Sequence, residues 1–60
     1  MTYTVAFTNS NSGLVEISRY FDTKRAAIKW AAWLRTTKFV AETAVFAGPA
    51  GGELIERQAA

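Results

Sequence analysis

The residues able to do chemistry are few. There are five carboxylates: Glu16, Asp22, Glu42, Glu53 and Glu56. Acid–base work by a carboxylate pair needs two of them held together in environments that separate their roles. Only Asp22 falls in the stretch that reads as a helix, so no two of them share a helix face. Ser10, Ser12 and Ser18 would need a neighbouring base to become nucleophiles. The chain has no His and no Cys, so the usual activating base and the commonest zinc ligands are both missing. Asn9-Ser10-Asn11 lacks the Asp-rich pattern of a calcium loop. Gly48-Pro49-Ala50-Gly51-Gly52 is glycine-rich, but no Lys-Ser/Thr and no helix come after it as a phosphate loop requires. The expectation is a non-enzymatic protein with no metal and no cofactor.

Charge offers a different chemistry. Four of the seven basic residues, Lys24, Arg25, Lys29 and Arg35, fall between Asp22 and Arg35, and Lys38 comes soon after. No acidic residue lies between Asp22 and Glu42. A solvated helix ordinarily mixes signs in i,i+4 pairs, each contributing roughly 0.2–0.5 kcal/mol. Here every charge is a cation. Lys24 and Arg25 even stand in the first turn, where they oppose the helix dipole. Such a row suits phosphates or carboxylates on a partner, or else it is an ordinary solvated face.

The element carrying this row is expected to be a helix over 22–37. Ala27, Trp30, Ala31 and Leu34 recur on one face at helical spacing and would lie on a sheet. Trp33 and Ala26 border that stripe, while Ile28 and Ala32 fall among the cations. Asp22 is the expected N-cap, with Thr23 as the alternative. The candidate partner-binding set is Lys24, Arg25, Ile28, Lys29, Trp33, Arg35 and Lys38, with Trp33 and Ile28 as apolar anchors.

Strands flank the helix. Tyr3, Val5 and Phe7 alternate with Thr4, Ala6 and Thr8, the period of a half-buried strand. The Asn9–Gly13 run favours a turn. Leu14 to Tyr20 reads as the return strand, with Val15 and Ile17 on one face and Tyr20 on the other. Arg19 breaks that pattern, as though the strand were leaving the core. Ala41 to Ala47 is a third strand, with either face able to point inward. After the glycine-rich turn, Glu53 to Gln58 is a fourth strand, and Ala59-Ala60 a frayed end. The fold class is therefore α+β: a ββαββ chain with hairpin 2–21, helix 22–37 and hairpin 40–58. An antiparallel four-stranded sheet should carry the helix across one face. The other face would show Thr-rich positions, solvated or paired in a homodimer.

Sixty residues make one small domain. A chain this short buries only about 60% of its unfolded surface, and no disulfide is available to help it. Half the residues are hydrophobic and 13% aromatic, which is globular rather than disordered. The net charge of +2 permits nucleic-acid or acidic-protein partners without requiring them. No apolar run reaches the roughly 18 residues of a membrane span, so no membrane role is expected. Residues 1–8 lack a basic stretch leading into an apolar one, and the expected location is cytoplasmic.

Lys24-Arg-Ala-Ala-Ile-Lys-Trp-Ala-Ala-Trp-Leu34 resembles the basic, alanine-rich last helix of double-stranded-RNA-binding domains. In that family three strands precede the helix and none comes after it, whereas here two precede it and two come after, so its function is not carried over. The whole-chain layout is similar to the very small accessory proteins of phages and mobile elements, including those of the anti-CRISPR type. That resemblance implies a stoichiometric inhibitor that binds a host protein or protein–nucleic-acid complex. Direct nucleic-acid binding by the cationic face is the alternative, and a homo-oligomeric structural module is a third.

Overall fold

A computed structural model describes residues 2–60. It contains β1 (Tyr3–Asn9), β2 (Val15–Phe21), α1 (Lys24–Leu34), β3 (Val40–Ala47) and β4 (Glu53–Ala59). The four strands form one antiparallel sheet in the order β2-β1-β3-β4. The ββαββ layout is the expected one. Because β2 and β3 both run antiparallel to β1, they run parallel to each other. Parallel strands need a long crossover, and α1 supplies it, passing over the sheet.

The helix is shorter than the sequence suggests. Thr23 rather than Asp22 is the N-cap: it is extended, and its Oγ1 accepts from Ala26 N at 3.2 Å. At the other end Thr36 and Thr37 bend the chain instead of continuing it. Their N–H groups reach back three residues to the carbonyls of Trp33 and Leu34. Their hydroxyls donate to the same two carbonyls, at 2.7 and 2.8 Å. Side-chain competition of this kind is why threonine stops helices.

The buried core is small. Val5, Val40 and Val45 from the sheet meet Ala27, Ala31 and Leu34 from the helix. Both alanines are fully buried, and their small size brings α1 close to the strands. Tyr3, Phe7, Phe21, Trp30 and Ile55 pack around this centre, only partly buried. Trp30 is therefore a flank of the core rather than its middle. On β3 the inward face is that of Thr43 and Val45.

Each strand pair carries one bulge. In β2, Arg19 stands opposite Val5 but Ile17 stands opposite Ala6, leaving Ser18 as the extra residue. An extra residue shifts the alternation, so the residues on its two sides exchange faces of the sheet. Arg19 does not mark a strand leaving the core; it faces the helix because of the bulge. Val15, Ile17 and Tyr20 all share the helix-free face, opposite Thr8, Ala6 and Thr4. The expected separation of Tyr20 from Val15 and Ile17 is thus corrected. In β4 the extra residue is Ile55, which packs on the core. Ala59 is no frayed end: it pairs with Glu42, and Ala60 N donates to Ala41 O at 2.9 Å.

The glycine-rich turn closes one end of the sheet. Gly48 has φ +82, a conformation that side chains disfavour. There its N–H donates to Thr2 O and its carbonyl accepts from Thr4 Oγ1 at 2.6 Å. Thr4 is fully buried beneath this turn, and Ala6 beside it is buried too. The Thr-rich positions of β1 are thus not simply solvated.

Candidate functional site

Trp30 and Trp33 are three positions apart, so their side chains meet on one flank of α1. Their ring centroids lie 4.8 Å apart with planes tilted by 31°. Phe21, the last residue of β2, adds a third ring at 6.1 Å from Trp30. Ala26 is small and leaves space between them. The result is an apolar cleft of about 350 Å³ lined by Phe21, Ala26, Lys29, Trp30 and Trp33.

The two indoles have different duties. Trp30 Nε1 donates to Ser18 Oγ at 2.9 Å, so its polar group is satisfied within the fold. The β2 bulge is what turns Ser18 toward it. Trp33 is 54% exposed, although it is among the largest apolar side chains in the protein. The Arg19 guanidinium lies 5.2 Å from the centre of the Trp30 ring and 5.7 Å from that of Phe21. A cation over an aromatic face is worth about 0.5–1 kcal/mol at an exposed site. Arg19 thereby braces the cleft wall and adds positive charge to its edge.

The predicted binding residues do not form one patch. Lys29 and Trp33 line the cleft. Lys24 and Arg25 are exposed in the first helical turn, and Lys38 is exposed in the turn after the helix. Among the described residues the ion pairs are Arg35–Glu56 and Arg57–Glu42, so Lys24, Arg25, Lys29 and Lys38 pair with no carboxylate there. Ile28 is half-buried, on the flank that leads seven residues on to Arg35.

Arg35 departs from the expected surface role. It turns inward, donating through Nη1 to Thr43 Oγ1 at 2.8 Å and lying 3.7 Å from Glu56 Oε1. Its side chain is only 18% exposed. The Glu56 oxygen is buried and has no hydrogen-bond partner among the described residues, so the charge it faces is that of Arg35. Removing one partner from such a cluster leaves buried polar atoms unmatched, at about 1–3 kcal/mol. Arg35→Ala should therefore destabilise the fold by an amount in that range, read as a lower urea unfolding midpoint. An unchanged midpoint would return Arg35 to the free cationic surface.

No family model, curated protein or solved structure matches this chain. The capabilities of the cleft must be argued from its own side chains. Arg19, Phe21 and Trp30 belong to it although the sequence pattern placed none of them in the binding set. The available signal was Arg19, the one cation out of phase in an otherwise apolar strand pattern.

Several of the other polar groups are engaged locally. Glu16 accepts from Asn9 Nδ2 at 3.1 Å, and Ser18 serves Trp30. Ser10 donates to the Lys38 carbonyl at 3.5 Å. Among the described residues no three acidic, His or Cys side chains gather as a metal site would need. No helix among them is long and apolar enough to cross a membrane.

Proposed function

We propose that this chain is a non-enzymatic protein-binding module whose contact surface is the Trp33 side of α1. The observation that carries the reading is a half-exposed indole beside an apolar cleft, edged by cations that pair with no carboxylate among the described residues. Interfaces concentrate their binding energy in Trp and Arg anchors at the centre of a desolvated patch. Unpaired cations around such a patch steer an oppositely charged surface toward it. The partner then offers an apolar side chain to the cleft and carboxylates or phosphates to Lys29, Arg25 and Arg19. The similarity in layout to phage accessory proteins supports a stoichiometric modulator, one that occludes a site on a host nucleic-acid-processing complex in the cytoplasm.

Affinity capture with the wild-type chain and with Trp33→Ala, both after nuclease treatment, tests this. A protein retained in stoichiometric amount by the wild type and lost by Trp33→Ala is the expected result. Recovery of nucleic acid alone would overturn it, especially with affinity falling steeply as salt rises. That slope is the signature of counterions released from phosphates.

A further inference from the structure

We propose that the helix-free face of the sheet is a dimer interface, covered by a second copy of this chain. This inference is independent of the Trp33 surface, which lies on the opposite side of the molecule.

The register of the strands places the apolar surplus. The large hydrophobic side chains with high exposure are Leu14, Val15, Ile17, Tyr20, Trp33, Phe39 and Leu54. Val15, Ile17 and Tyr20 stand opposite Thr8, Ala6 and Thr4, and Leu54 stands opposite Phe46. These four, between 44% and 69% exposed, therefore share the face that α1 does not cover. Single exposed hydrophobics are ordinary, but a contiguous group of them marks an interaction surface. Between them the floor is low, because Ala6 and Ala44 occupy the centre. A cavity of about 280 Å³ opens there, with Phe46 and Ala50 among its walls.

The charges on this face narrow the choice of occupant. On the strands it carries one acid and one base, Glu42 and Arg57, which approach to 3.7 Å. Its charge is therefore balanced, unlike that of the cation-rich helix side. A polyanion finds no complement on it, and a strongly charged protein finds none either. A second copy does, because a two-fold interface sets each patch against itself. Glu42 and Arg57, paired within each copy, can then also meet Arg57 and Glu42 of the other, twice.

The dimensions permit it. A face bounded by the two longer extents of the molecule, 32 and 19 Å, spans at most about 600 Å². Two such faces, covered to their edges, bury at most about 1,200 Å², which reaches the lower bound of a stable specific interface. Packing them face to face would give each sheet a core on both sides. That is the provision a 60-residue chain without disulfides lacks as a monomer. It would also point the two Trp33 clefts outward on opposite sides, making the dimer bivalent.

Sedimentation equilibrium of the full chain, from low to high micromolar concentration, tests the inference. The expected mass is twice that of the 6.6 kDa chain, with a thermal midpoint that rises with concentration. Ile17→Lys and Leu54→Lys, both at half-exposed edge-strand positions, should halve the mass, whereas Trp33→Ala should leave it unchanged. Glu42→Arg and Arg57→Glu chains should each be monomeric alone and associate one-to-one when mixed. A wild-type monomer at high micromolar concentration, with a midpoint independent of concentration, overturns the inference. So does a dimer that survives both lysine substitutions and is lost in Trp33→Ala.

Discussion

Trp30→Ala is expected to cost roughly 3 kcal/mol of stability, the low end of the range for removing a large aromatic from a protein interior. The low end applies because Trp30 is only partly buried. Five contacts disappear together. The ring leaves the flank of the Ala27–Ala31–Leu34 core, Phe21 and Trp33 each lose a neighbouring ring, Arg19 loses a face, and Ser18 loses the indole N–H. A chain of this length has a total stability of only about 3–9 kcal/mol, at 0.05–0.15 kcal/mol per residue. The substitution thus removes a third or more of what holds the fold, and urea denaturation at fixed protein concentration would show it. Trp30→Phe should recover most of the loss, since it keeps a ring against Phe21 and gives up only the bond to Ser18. A Trp30→Ala midpoint within experimental error of wild type would mean that the small aliphatic core holds the helix alone.

The layout was legible in the sequence because its signals are local. Val5 with its neighbours, Ala27 to Leu34 and the glycine-rich turn each announce an element within a few residues. The faces of the strands were less legible, since they depend on pairing between distant segments. Val15 and Ile17 alternate correctly for a strand, but alternation tells which residues share a face and not which face is buried. The bulge at Ser18 then reverses the assignment halfway along β2, and only Arg19 hinted at it. For the same reason the cleft was half seen. Lys29 and Trp33 follow from helical spacing, whereas Phe21 and Arg19 reach the helix from an edge strand. Arg35 was misplaced because a charge beside an apolar stripe can point either way. The deciding partner, Glu56, lies far along the chain, on the last strand.

Trp33→Ala should separate binding from stability. More than half of the Trp33 side chain is already in water, and its removal opens no cavity in the core. The stability loss should stay below about 1 kcal/mol, far less than for Trp30. Partner affinity should fall by about 30-fold or more, the equivalent of the roughly 2 kcal/mol that defines an interface hot spot. Lys29→Glu at the cleft edge should act differently, through encounter rather than through the anchor. Its effect should appear mainly in the association rate and fade as salt screens the charges. The physical reason is that Trp33 is desolvated only in the bound state, whereas Lys29 attracts an acidic surface before contact. Calorimetry and stopped-flow association on the two variants therefore give distinct signatures. Equal thermal losses for Trp30→Ala and Trp33→Ala would instead make the two indoles one structural unit, and would leave the cleft without a binding role.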